Sequence, residues 1–202
     1  MAFLEQHRAD HPDALMRPAQ SWPSKIGRAL WNVTWTFLCR PTPPGMHRWR
    51  CWVLRRFGAR LGRNNFIYPS ARIWAPWLLE TGEVVTIARK AFVYNVGGVT
   101  IGHHAIVSEE AFVCGATHDY QSADFELISR AIRIEPYAWI CARAIILPGV
   151  TCGEGAVLGA GGVASRDLEA WSVNAGNPAR KCGIRDRGER PGLTSKLPQP
   201  TE

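Results

Sequence analysis

Ile134-Glu-Pro-Tyr-Ala-Trp, Ile140-Cys-Ala-Arg-Ala-Ile, Ile146-Leu-Pro-Gly-Val-Thr, Cys152-Gly-Glu-Gly-Ala-Val, Leu158-Gly-Ala-Gly-Gly-Val, Ala164: written in sixes, residues 134–164 keep one rhythm. An apolar residue opens each hexad. A small or β-branched residue follows four places later, at Ala138, Ala144, Val150, Ala156 and Gly162. A helix repeats its apolar residues at about 3.6 and a single strand at about 2. A period of six fits a solenoid with short parallel strands as flat sides, in which the same two positions of each side point inward. Three hexads then make one triangular coil, the opening residue filling the axis and the small one sitting at the crowded corner.

Outward from this stretch the phase runs back through Ile67 and Ile73. It slips by two around Val85–Ile87 and again at Val99–Ile101, then holds through Val107 and Val113. Val113 to Ile134 is not a multiple of six, so residues 117–131 (THDYQSADFELISRA) leave the coil as a loop. Upstream, 25–39 reads as a helix, with Ile26, Leu30, Val33 and Phe37 at steps of three to four and Trp31 and Trp35 as an i, i+4 pair. Trp22-Pro23-Ser24 looks like its entry, with Ser24 near the cap. Arg40-Pro-Thr-Pro-Pro-Gly45 ends it. A second helix follows at 46–57, closed by Gly58 or Gly62. Its Trp49, Trp52 and Val53 lie on one side, with Arg48, Arg50, Arg55 and Arg56 elsewhere. The reading divides the chain into a helical extension (1–62), an all-β solenoid (63–169) with the 117–131 loop protruding, and a cap with a polar tail (170–202). Residues 1–23 are expected to be irregular or draped over a neighbour.

The 202 residues carry 24 Lys+Arg against 17 Asp+Glu, a net charge of +7, and 46% are hydrophobic. One domain with a real core is within reach, and the charge suggests anionic partners: a phosphate-bearing cofactor, nucleotide-linked or lipid-linked substrates, a membrane surface or nucleic acid. The last has no motif beyond charge. The six Cys show no CxxC spacing, which suggests a reducing compartment without a disulfide framework. The N-terminus is too polar for a signal peptide, and no apolar run approaches the roughly 20 residues that cross a bilayer. A cytoplasmic protein is expected.

Trp49-Arg50, Phe57-Gly58-Ala59, Tyr68-Pro-Ser-Ala-Arg-Ile-Trp-Ala-Pro-Trp77, Tyr94-Asn95, Thr117-His118-Asp119-Tyr120, Ala138-Trp139-Ile140, Pro148-Gly149-Val150-Thr151 and Ala175-Gly176-Asn177-Pro178-Ala179-Arg180 together resemble the hexapeptide-repeat acyltransferases. The branch most similar is the colanic-acid and exopolysaccharide O-acetyltransferases. The resemblance spans residues 22–182. It implies a left-handed parallel β-helix, a homotrimer with each site between two subunits, and acetyl transfer from acetyl-CoA to a sugar hydroxyl. Period alone gives no hand.

His118 is the candidate catalytic base. A hydroxyl attacking a thioester must lose its proton, and imidazole accepts protons near neutral pH. It lies where the repeat breaks, free to face a groove; the bland alternative is a solvated loop histidine. Asp119 and Tyr120 either order the loop or contact the acceptor. The resemblance implies an acceptor-side or oxyanion role for Asn95, against a plain turn residue. Glu109 or Glu110 could orient the imidazole, or be solvated. His103 and His104 fall at turn positions, and with no third ligand in view no metal site is expected.

For acetyl-CoA the resemblance implies Trp139, Ala142 and Ala160 along the pantetheine arm. It implies Ser165 and Arg166 at arm and phosphates, and Asn177, Pro178 and Arg180 at the adenine end. Cys141 stands where the family has Gly, Cys152 where it has Ile, and Gly183 where it has a basic residue, a deficit that Lys181 or Arg185 could fill. The helices, with Trp31, Trp35, Trp49 and Trp52 beside arginines, either cap the open end of the solenoid or meet a membrane surface. Alternatives in function are N-acylation of an amino sugar and a non-catalytic or metal-dependent hexad protein.

Overall fold

The computed structural model describes residues 22–186. Helix α1 (Trp22–Thr34) continues into a π-helical turn (Trp35–Cys39), and helix α2 spans His47–Arg56. Ser24 therefore lies inside the first turn of α1 rather than at its cap. The irregular N-terminal segment and polar tail expected from the sequence lie, up to residue 21 and from residue 187, outside the described residues. Gly58, at φ +87°, closes α2, with Ala59 N–H bonded back to Leu54 O.

The rest is a triangular stack of short parallel strands. The first face stacks Arg60–Leu61, Leu79–Thr81, Val99–Ile101, Ile132–Ile134 and Thr151–Cys152. The second stacks Phe66–Ile67, Thr86–Ile87, Ile106–Val107, Trp139–Ile140, Val157–Leu158 and Ser172–Ala175, closed by the antiparallel strand Arg180–Ile184. The third stacks Arg72–Ile73, Phe92–Tyr94, Phe112–Cys114, Ile145–Ile146 and Val163–Ala164. Strands two residues long gain little alone. They persist because each is hydrogen-bonded above and below and drives one side chain into the axis. Ile134, Ile140, Ile146, Cys152, Leu158 and Ala164 are all buried there, as are Ala138, Ala144, Val150, Ala156 and Gly162.

Register shows where the sixfold rhythm fails. Arg60 pairs with Glu80 and Phe92 with Phe112, whereas Trp139 pairs with Val157 and Ile145 with Val163. Early coils thus hold two residues more than the late ones. The excess lies at the corner between third and first faces, in the Pro76–Leu78 turn and again before Val99. Phasing on the sequence detects both slips but puts the first one hexad late, because Leu79 and Val85 are also buried and imitate the pattern. Residues 115–131 are inserted at this same corner.

The helices close the first coil. A sheet edge leaves backbone groups unpaired. Here donors from the helices meet its carbonyls: Cys51 Sγ to Asn65 O, Arg50 Nε to Ile67 O, Trp35 Nε1 to Ala71 O and Trp31 Nε1 to Ile73 O. Arg55 reaches Gly62 O at 2.7 Å. α1 is therefore turned opposite to its apolar count. Trp31 and Trp35 are buried, while Ile26, Leu30, Val33 and Phe37 face outward. In α2 the buried side is Arg50, Cys51, Val53 and Leu54, so Arg50 belongs inside, and Trp52 is half-exposed.

Candidate active site

The chain leaves the third face after Phe112–Cys114 and forms a hairpin. Ala116–His118 runs antiparallel to Leu127–Ser129, pairing His118 with Leu127. Its root is tied to the solenoid by Gly115 N–H to Tyr94 O (2.8 Å) and Ile132 N–H to Gly98 O (3.1 Å). The turn is built by short polar residues. Asp119 Oδ1 accepts from Gln121 N–H, Asp119 O from Ser122 N–H, and Ser122 O from Phe125 N–H.

His118 stands on the exposed side of this hairpin. Its Nδ1 lies 2.5 Å from Phe125 O. A carbonyl only accepts, so Nδ1 carries the proton, and in the neutral ring the lone pair is on Nε2. Phe125 holds its carbonyl there in a left-handed backbone conformation, at φ +47°. The orienting partner is thus main chain. Glu110 is instead at the second-to-third corner, paired with Lys90 and Arg143, whose guanidinium and ammonium lower its carboxyl from the usual range. Its neighbour Glu109 shares that remote corner.

Asp119 is engaged in its own turn. Tyr120, two residues on from His118, is 78% exposed. Asn95 is different: it is wholly buried, its Nδ2 donates to Ala75 O (2.7 Å) and its Oδ1 accepts from Ala75 N–H (3.0 Å). That amide closes the corner one coil below the hairpin, with one N–H and its carbonyl oxygen engaged by Ala75. His103 Nδ1 accepts from Glu83 N–H, and the His104 ring stacks on Tyr137.

The residues expected at the cofactor fall in two groups. Trp139 points outward from the second face, its Nε1 donating to Ser108 Oγ at 2.9 Å. Ala142 and Ala160 follow at the second-to-third corner, one coil apart, joined by Gly161 N–H to Ala142 O. Cys141 beside them is half-buried, and burial pushes its thiol up, so it is a neutral group there. Ser165 and Arg166 are exposed at the third-to-first corner, the corner of the hairpin. Arg166, Arg180 and Lys181 line one depression of about 240 Å³, shared with Asp167 and Glu169. Asn177 and Pro178 are exposed and joined by a cis peptide, with Ala179 N–H bonded to Val163 O. Lys181 pairs with Glu169, and Arg185 donates to Tyr137 O and Gly155 O. Within one chain, then, His118 and the Ala142–Ala160 edge occupy different corners of the prism.

WcaF of Escherichia coli (strain K12), named as a colanic acid biosynthesis acetyltransferase, is 35% identical over 160 residues, covering 79% of this chain and 87% of WcaF. The chain belongs to the hexapeptide-repeat acetyltransferase family. No protein-family model matches it. Two solved structures share the left-handed β-helix of this acetyltransferase. The hexapeptide-repeat acetyltransferase VCA0836 of Vibrio cholerae, complexed with acetyl coenzyme A, superposes with a TM-score of 0.74 at 21% identity, over 84% of this chain and 93% of that one. A maltose O-acetyltransferase from Clostridium difficile gives 0.72 at 23%, over 82% and 90%. At such identities these two speak for the fold alone.

For the acetyltransferase, sequence reasoning missed two groups that matter locally. Ser108 fixes the Trp139 indole, and Phe125 O fixes the His118 imidazole. Ser108 sits in register one coil before Ile140 plus one place, a signal that a coil-by-coil alignment carries. A main-chain carbonyl has no signature in sequence.

Proposed function

We propose that this acetyltransferase transfers an acetyl group from acetyl-CoA to a sugar hydroxyl in the biosynthesis of an exopolysaccharide or related glycan, with His118 as general base. The observation that carries the reading is the Nδ1–Phe125 O bond, which puts the lone pair of the exposed His118 ring on Nε2. Nε2 takes the hydroxyl proton while the acceptor oxygen adds to the thioester carbonyl. The C–S bond then breaks, and the imidazolium returns the proton to the departing thiolate. No acyl-enzyme forms. Positioned proton transfer of this kind contributes typically a hundred- to ten-thousand-fold.

The small side chains of Ala142 and Ala160, beside Trp139, suit a narrow pantetheine arm. Ser165, Arg166 and Arg180 suit its phosphates, and Asn177-Pro178 the adenine end. Because His118 and the Ala142–Ala160 edge sit at different corners, the reading includes a homotrimer in which a neighbouring chain completes each site. Tyr120 and Asp119 form the acceptor side. Among the described residues no helix is long and apolar enough to cross a membrane. The outward stripe of Ile26, Leu30, Val33 and Phe37, with Lys25 and Arg40 nearby, supports peripheral contact with the inner face of a membrane.

The test is thiol release from acetyl-CoA over a panel of sugars and amino sugars, comparing wild type with His118→Ala. A fall in kcat of at least about a hundredfold is expected, with secondary structure unchanged. Wild-type turnover in the variant would remove His118 from the chemistry, and transfer confined to amino sugars would replace O- with N-acylation.

A further inference from the structure

Between α1 and the third face lies a second depression, of about 280 Å³, lined by Arg28, Arg40, Arg72, Asn32, Trp74 and Phe92 among others. It is lined by three guanidinium groups and no carboxylate. Among the described residues, none of these arginines forms an ion pair with Asp or Glu. Two are already positioned. The Arg28 guanidinium carbon sits 4.4 Å from the Trp74 ring centre, and that of Arg72 sits 4.3 Å from Phe92. Stacking uses the face of a guanidinium and leaves its in-plane N–H groups for an acceptor. Arg28 Nε is shielded from solvent and has no hydrogen-bond partner. Buried polar groups are rarely left so, and an unmet donor beside two further cations calls for an anion. The volume is just below the range of about 300–1,000 Å³ typical of whole drug-sized ligands, and suits one or two phosphate groups.

Its placement links it to the hairpin. Trp74 N–H bonds to Val93 O, and Tyr94 is in register with Cys114, so Trp74, Tyr94 and Cys114 form one column up the third face. The Trp74 and Tyr94 rings meet edge-on at 5.5 Å, and Phe92 stacks on Phe112 at 5.3 Å. At about 4.8 Å per coil, Trp74 lies roughly 10 Å below the hairpin root. An aromatic platform thus separates the arginines from the segment that carries His118.

We propose that this pocket binds the phosphate or diphosphate of the acceptor, which is therefore a glycosyl phosphate ester whose sugar lies over Trp74 and Tyr94 toward His118. The assignment rests on the reading of His118 as the base for sugar acetylation. Nucleotide-linked and polyprenyl-linked sugars present the same diphosphate.

Inorganic pyrophosphate titrated calorimetrically into the full-length protein tests the pocket without turnover. Wild type binds it, and Arg40→Gln and Arg72→Gln each weaken binding about tenfold, the loss of one charge-assisted contact. Arg72→Lys, which keeps the charge on the same exposed side, retains most of it. His118→Ala binds like wild type, so failure of the catalytic reading and failure of the pocket are separable. The KM for acetyl-CoA is unchanged in the Gln variants. Uridine diphosphate and a short polyprenyl diphosphate in neutral vesicles are then competed against pyrophosphate, and the stronger competitor identifies the source. Absence of pyrophosphate binding, indifference to both Gln variants, a matching rise in the KM for acetyl-CoA, or competition by neither diphosphate overturns the proposal.

Discussion

Replacing Arg50 with Met should destabilise the protein by about 3 kcal/mol. Arg50 is fully buried, and burial pushes its guanidinium below its usual range. Its Nε donates to Ile67 O at 2.6 Å, its Nη1 to Thr42 Oγ1 at 2.7 Å and Pro43 O at 2.9 Å, and its Nη2 to Pro44 O. Three of these acceptors belong to the turn between the helices, where Pro43 and Pro44 are exposed and water can replace the donor. Each such loss is worth about 0.5–1 kcal/mol, and the bond to the buried Ile67 O about 1.5–3. Met recovers some apolar burial, and removing the cation returns its desolvation penalty, which trims the sum. For a chain of this size, about 3 kcal/mol lowers the melting temperature by roughly 6–12 °C. Thermal unfolding followed by circular dichroism measures it. Arg50→Lys should fall between, because one ammonium keeps the charge but cannot span Ile67 and the Pro43-Pro44 turn together. A Met variant melting within about 2 °C of wild type would refute the reasoning: the buried cation would then be an even trade with an apolar isostere rather than the clasp of the cap.

Three further outcomes follow from the solenoid. Burial raises the thiols of Cys39 to about 11 and Cys152 to about 12 from an ordinary 9.0. Folded thiols then hold protons that unfolded ones release, so stability is full below about pH 9 and falls as pH rises toward 11–12, by about 1.4 kcal/mol per pH unit and group. Urea midpoints at pH 8, 9.5 and 10.5 measure this, and Cys152→Val should flatten the profile. Gly102→Ala should cost at least about 2 kcal/mol, since its Cβ would come within 2.3 Å of Pro136 N, whereas Gly45→Ala, with open space around it, should be neutral. Asn95→Ala should lower the melting temperature by several degrees through two lost bonds to Ala75; an unchanged KM for acceptor would make Asn95 a corner clasp alone, and a selective rise in that KM would put it on the acceptor side.

The architecture was legible because a period of six repeats over enough coils to average out exceptions. Every inward position from Ile134 to Ala164 is where its place in the hexad puts it. The orientation of α1 was not legible, because both of its sides are apolar. What decides between them is that indole N–H groups of Trp31 and Trp35 meet edge carbonyls, which periodicity does not register. Arg50 reads as a surface cation by type and is interior because the turn of prolines folds carbonyls onto it. Hexad phase does assign residues to corners, so the separation of His118 from Ala142 and Ala160 was implicit in the numbering. The Phe125 carbonyl was beyond reach, since its position depends on a local backbone conformation within the loop.

All departures from the rhythm fall on one corner: two residues gained, two more, the hairpin, then two lost before Leu168. The other two corners never change length before the cap. A prism with a single variable edge lets loop content be exchanged without disturbing any strand pairing. On the proposed reading of His118, changes of acceptor through residues 116–129 are thereby uncoupled from the stacking of the coils. Grafting that segment between relatives is the modular operation the geometry invites.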